Sequence, residues 1–93
     1  MIKIIAKNVI KEGMTEDFKK TARPLIEASQ NEEGCISYDL YEDIGDQNVL
    51  TFIEEWKDEA AIDTHNNSKH FKEIVPLLGA FRESSEVRLY KKA

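Results

Sequence analysis

EEWKDEAAIDTHNNSKHF, residues 54 to 71, holds the only Trp and both His residues of the chain. It is also where one type of secondary structure hands over to another. VLTFIEEWK, 49 to 57, is rich in β-branched and aromatic residues and reads as a strand. Asp58 then has the side chain of a helix cap, and Ala61, Ile62 and His65 follow at helical spacing on one stripe. NNS at 66 to 68 interrupts that helix, and Ser68 can cap the next segment. There Phe71, Ile74, Val75 and Leu78 form a second apolar stripe, with Pro76 inside it and Gly79 as a stop.

Working upstream, GDQN at 45 to 48 is a hairpin turn signal, and CISYDLYED, 35 to 43, is the strand before it. NEEG at 31 to 34 ends a preceding helix whose stripe is Phe18, Ala22, Leu25 and Ile26. Thr15 is the expected cap of this helix, Glu16 and Asp17 suit its first turn, and Pro24 should kink it. Gly13 breaks the first strand, IKIIAKNVIK at 2 to 11. Alternation puts Ile2, Ile4, Ala6, Asn8 and Ile10 on the core face and Lys3, Ile5, Lys7, Val9 and Lys11 on the other. SEVRLYKK, 85 to 92, is the last strand.

The order β-α-β-β-α-β predicts a ferredoxin-like α+β fold, one antiparallel sheet with its helices on one face, in one domain over residues 1–93. The helix-free face carries Ile5 and Val9, with Ile53 and Tyr41 as neighbours. Exposed in a monomer, such a face is a liability, so a homodimer is expected.

Bulk properties narrow the function classes. With 41% hydrophobic and 33% charged residues in 93, the chain has the composition of a small folded domain. A net charge of −5 and no basic face argue against nucleic acid and anionic membrane surfaces as partners. Cys35 is alone, which excludes an internal disulfide and a cysteine-based metal centre. No apolar run approaches a signal peptide or the about 20 residues of a membrane helix, so a cytoplasmic location is expected. Phosphate loops, dinucleotide fingerprints, GxSxG and HExxH are absent. The two His residues, five apart, do not share a helical face and no third ligand stands out, so no metal site is expected.

Four residues invite a chemical reading, each beside a plainer one. His65 on an inward stripe is either a core histidine that ties down the NNS break or a group that moves protons. Asn8 interrupts an apolar face; its amide could donate to a developing oxyanion, or simply bond a helix end or a water. Trp56 shares a pleat face with Phe52 and Leu50 and is core or pocket wall, and His70 sits at the edge of the Phe71 stripe. Cys35 reads as a small buried hydrophobe, and Glu54 and Glu55 lie on opposite sheet faces, which rules out a carboxylate dyad.

The whole pattern resembles the antibiotic biosynthesis monooxygenase (ABM) family of dimeric α+β barrel proteins, which includes cofactor-independent quinol monooxygenases. The most specific part is a strand ending E-x-W, a short helix, then H-x-x-S-x-H-F, here Glu54, Trp56, His65, Ser68, His70 and Phe71. Asn8 matches an Asn that faces the cavity in several relatives. The resemblance implies a phenol or hydroquinone substrate, a small aromatic molecule whose deprotonated form reduces O2 directly without flavin or metal. It implies His65 and Asn8 as catalytic residues and Trp56, His70, Phe52 and Phe71 around the substrate. Haem-degrading relatives carry a Trp and a haem-ligating His where His65 and Val75 fall here, so haem cleavage is not expected. Two other outcomes stay open: processing or isomerisation of a small phosphorylated signalling ketone, and a dimeric ligand-binding or stress-associated module without catalysis. The same scaffold serves several functions.

Overall fold

The computed structural model describes residues 1–93. Four strands, β1 (Ile2–Ile10), β2 (Cys35–Asp43), β3 (Asp46–Trp56) and β4 (Arg82–Tyr90), form one antiparallel sheet in the order β2-β3-β1-β4. Helix α1 (Thr15–Gln30) joins β1 to β2, and α2 (Glu59–Asn66) and α3 (Lys69–Leu78) join β3 to β4. The ferredoxin-like β-α-β-β-α-β order is therefore present, with its second helix split in two.

The alternation along β1 sorts residues as expected. Ile4, Asn8 and Ile10 are buried, and Lys7 between them is exposed. Pairing carries this face across the sheet: Ile4 opposes Glu54, Ala6 opposes Phe52 and Asn8 opposes Leu50. Phe18, Ala22 and Leu25 of α1 close over it, and the continuous core runs from Ile10 through Phe52 and Trp56 to Leu78. The molecule measures 36 × 31 × 17 Å, the thickness of one sheet and one helix layer. The outer sheet face, with Ile5, Val9, Ile53 and Tyr41, has no helix on it.

Asp58 accepts a hydrogen bond from the Ala61 N–H at 2.8 Å, and Ser68 Oγ accepts one from the Phe71 N–H at 3.2 Å. Both expected caps of the 54 to 71 stretch are thus in place. Other boundaries move. Thr15 is the first residue of α1 rather than its cap; Met14 holds the cap position and offers no side-chain bond. A positive φ of 80° at Gly13 turns the chain into α1. The hairpin turn is Ile44–Gly45, two residues ahead of the expected site. Aspartates make it: Asp43 accepts from the Gly45 N–H at 2.7 Å and Asp46 from the Asn48 N–H at 2.9 Å. Gly79 caps the end of α3 as expected, but it stays in the right-handed helical region and a 3-10 turn runs on to Phe81. β4 consequently starts at Arg82, three residues before the expected Ser85.

Candidate active site

Between the inner sheet face and helices α2 and α3 lies a cavity of about 480 Å³. Its walls are mainly apolar, with Ile4, Ala6 and Phe52 on the sheet side and Ile62, Phe71 and Val75 on the helix side. Val87 and Leu89 of β4 form an open lip, 59% and 55% exposed. A space of this size and character suits a small, largely apolar molecule. Asn8, Glu54, His65 and Arg82 bring polar chemistry to it.

His65 stands in the last turn of α2 and is 2% exposed. The break after it does not depend on the imidazole. Ser68 donates both its N–H, at 3.1 Å, and its hydroxyl, at 2.6 Å, to the His65 carbonyl, and the Asn67 N–H reaches the Asp63 carbonyl at 3.1 Å. The ring is therefore free for other work. Its Nδ1 lies 2.6 Å from Oε2 of Glu32. An ionised carboxylate only accepts, so Nδ1 carries the proton and Nε2 keeps a lone pair. Nε2 has no hydrogen-bond partner, and the ring lines the cavity. Burial lowers the pKa of His65; the hydrogen bond and charge of Glu32 oppose this, and His70 adds to it. The imidazole is consequently neutral, and basic at Nε2, at neutral pH. Trp56 lies against it at a centroid distance of 4.4 Å, and Phe71 meets it edge-on at 5.1 Å.

Glu32 belongs to the turn between α1 and β2. Its Oε2 also lies 2.9 Å from Nε2 of His70, so one oxygen holds two imidazoles. The turn is pressed against α2: a Cβ on Gly34 would come within 2.3 Å of the Ala61 Cβ, so a glycine is needed for the approach. The N–H of Lys57 donates to the Gly34 carbonyl at 2.9 Å and pins the turn to the end of β3. Sequence reading took NEEG only as a helix end and missed Glu32; a carboxylate among stop signals gives no hint of a partner 33 residues away. The expectation that no third group joins the two His residues is also overturned. The change of direction at Asn67–Ser68 lets both rings reach one carboxylate.

Asn8 is buried at the cavity wall, but its amide is committed. Nδ2 donates to the carbonyls of Ala6, at 3.1 Å, and Leu50, at 3.2 Å, while Oδ1 accepts from Nη1 of Arg82 at 3.1 Å. Two carbonyls on one side and a guanidinium on the other fix this orientation of the amide. Asn8 thus has no donor left for an oxyanion, contrary to expectation. It holds Arg82, whose guanidinium has no carboxylate partner and lines the cavity. Arg82 had been missed because the last strand was expected to begin after it.

Phe52 and Phe71 lie on the cavity wall. Trp56 and His70 do not. Trp56 is fully buried behind His65, and its indole N–H donates to Oε1 of Glu54 at 2.9 Å. His70 is held by the same Glu32 oxygen, its ring centroid 5.9 Å from that of His65. Glu54 faces the cavity with its carboxyl pushed up to about 7 by burial; the Trp56 N–H offsets part of this and the charge of Glu32 adds to it. Burial pushes the Cys35 thiol up to about 11, so it remains a protonated thiol rather than a nucleophile.

Comparison with known proteins agrees with this architecture. A model of the family described as "Antibiotic biosynthesis monooxygenase" matches residues 1–77. YcnE of Bacillus subtilis (strain 168), which carries a provisional monooxygenase name, is 40% identical over 75 residues, 81% of this chain and 79% of that protein. A solved structure of a conserved protein from Methanosarcina mazei Go1 superposes with a TM-score of 0.96 at 41% identity, covering 99% of this chain and 92% of the other. A structure described as an antibiotic biosynthesis monooxygenase superposes with a TM-score of 0.93 at 36% identity, covering 100% and 99%. No helix is long and apolar enough to cross a membrane.

Proposed function

This chain belongs to the antibiotic biosynthesis monooxygenase family, and from that premise we propose that it oxidises a small phenol or hydroquinone with O2, using no flavin or metal for the chemistry. The observation that carries this reading is the free Nε2 of His65 on an apolar cavity, with Nδ1 fixed by Glu32 at 2.6 Å. That arrangement is a general base with its tautomer set.

In this mechanism Nε2 takes the phenolic proton, and the imidazolium is stabilised by the Glu32 carboxylate. The phenolate carries carbanion character at a ring carbon and passes one electron to O2. Collapse of the radical pair forms a C–O bond and gives a peroxide anion, which takes the proton back from the imidazolium to become a hydroperoxide. The O–O bond then breaks as the hydrogen on that carbon leaves as a proton through the now neutral His65, and the departing hydroxide takes up that proton to form water. The products are a quinone and water. One oxygen atom enters the substrate, and all four electrons taken up by O2 come from the substrate. Arg82, held by Asn8, supplies positive charge beside the phenolate and peroxide oxygens. Phe52 and Phe71 hold the ring. The working unit is a homodimer of one domain spanning residues 1–93, paired through the uncovered sheet face.

The test is a panel of phenols and hydroquinones scored by O2 consumption. One O2 consumed per quinone formed supports the reading, and absence of uptake across the panel overturns it. A second reading has one observation in its favour. Arg82 is a cavity-lining cation without a carboxylate partner, which suits the anionic group of a small phosphorylated ketone. Conversion of such a substrate without O2 uptake selects isomerisation instead.

A further inference from the structure

The donors of Glu32, His65 and His70 come from three chain segments: the α1–β2 turn, the end of α2 and the start of α3. On one continuous helix, residues five apart lie about 140° around the axis and their side chains diverge. The break at Asn67–Ser68 removes that divergence. One carboxylate oxygen and two imidazole nitrogens now lie within 4.8 Å of one another. We propose that these three residues form a binding site for a divalent transition-metal ion such as Zn²⁺, and that occupancy switches off His65 as a base.

Two imidazoles and a carboxylate are a ligand set for zinc and its neighbours. With metal–ligand bonds of about 2.0–2.1 Å, tetrahedral donors stand roughly 3.3–3.4 Å apart. Here Oε2 of Glu32 is 2.6 Å from Nδ1 of His65 and 2.9 Å from Nε2 of His70. Opening each pair by less than about 1 Å makes room for the ion, a movement within reach of side-chain rotation. The second oxygen of Glu32 has no hydrogen-bond partner and is left for a bidentate contact. Side-chain exposure rises outward from His65 (3%) through Glu32 (13%) to His70 (21%), so an ion enters from the surface without passing the cavity. Trp56 and Phe71 hold the His65 ring in place from two sides.

The metal-free and metal-bound states use the same atoms but differ in where the protons sit. Without metal, Nδ1–H of His65 donates to Glu32 and Nε2 is a free base. When Nδ1 binds the ion, a neutral imidazole keeps its single proton on Nε2. The nitrogen on the cavity then donates and can no longer take a proton from a substrate. His70 makes the complementary shift: Nε2 binds and Nδ1 carries the proton. No net proton is gained or lost. This consequence rests on His65 being the base; the binding site itself does not.

The binding test titrates metal-stripped full-length protein with Zn²⁺ by calorimetry and with Co²⁺ by visible absorption. The expected result is one ion per chain with a ligand-field band of low coordination number. Affinity falls at least tenfold in Glu32→Gln and in His70→Gln, a variant chosen because glutamine can still hydrogen-bond to Glu32 and preserve the fold. No binding, or equal binding in folded variants, overturns the site and leaves a hydrogen-bonded triad only. With a substrate verified by O2 uptake, stoichiometric Zn²⁺ should abolish turnover and a chelator restore it. Zinc that binds at these residues yet leaves turnover intact overturns the switch. If no substrate consumes O2, the functional reading fails while the metal titration still decides the site.

Discussion

Nδ1 of His65 and Oε2 of Glu32 are 2.6 Å apart although 33 residues separate them in the chain. The contact exists because Gly34 allows the α1–β2 turn to press against Ala61, which brings Glu32 over the end of α2. A carboxylate on the far nitrogen of a cavity-lining imidazole fixes the tautomer and stabilises the cation formed when the ring takes a proton. Glu32→Gln keeps a hydrogen-bonding group but loses the charge. In steady-state assays kcat should fall, by up to the about 10²- to 10⁴-fold that general-base catalysis supplies, while KM changes little. An unchanged kcat would detach Glu32 from the chemistry.

Asn8→Ala tests the link between β1 and Arg82. It removes the side-chain donor from the part-buried Ala6 carbonyl and the buried Leu50 carbonyl and frees the guanidinium. Unfolding by urea should show a loss of about 1–3 kcal/mol. Catalysis should weaken as Arg82 loses its position, and Arg82→Met should reproduce the catalytic loss with a smaller effect on stability. Equal stability of wild type and Asn8→Ala would show that the amide carries no structural burden.

Glu54 gives the protein a pH dependence of definite sign. Its carboxyl is raised from 4.5 to about 7 in the folded state, so between these values the folded chain holds a proton that the unfolded chain has lost. Stability therefore falls as pH rises through this window. Against Glu54→Gln, which does not titrate, wild type should lose about 3 kcal/mol from pH 4.5 to 7. His65, whose pKa is lowered, works the other way and loses stability as pH falls below its ordinary value; it is common to both proteins and cancels in the difference. A stability difference that stays constant with pH would contradict the burial of the Glu54 carboxyl.

Ile5→Lys tests the homodimer. Ile5 lies on the helix-free face opposite Ile53, and a charge there cannot be buried against a second copy without a partner. Wild type should sediment as a dimer at micromolar concentration and Ile5→Lys as a monomer. A folded wild-type monomer would remove the dimer from the account.

Much of the fold was legible because local physics decides it. Alternation in β1, the stripe of α1 and the caps Asp58 and Ser68 all depend on neighbours a few residues away. The hairpin moved because side chains of Asp43 and Asp46 make the turn, which a search centred on GDQN overlooks. His65 stood out through its position on an inward stripe. Glu32 and Arg82 did not, since one sits among helix-stop residues and the other beyond the expected strand boundary. Their roles come from packing between distant segments, the kind of information that periodicity does not carry. Trp56 lies in the core, one of the two places its pleat face allowed; the resemblance put it one layer too shallow, because a pleat gives the face of a side chain and not what covers it.

The most direct test of the central claim is the turnover of His65→Gln on a substrate verified by O2 uptake, measured beside its melting temperature. Gln retains hydrogen-bonding capacity but cannot accept a proton at neutral pH. Because Ser68 and Asn67, and not the imidazole, tie the broken end of α2, the melting temperature should change little. O2 consumption should fall about 10²- to 10⁴-fold. A folded His65→Gln variant that consumes O2 at the wild-type rate would contradict the account.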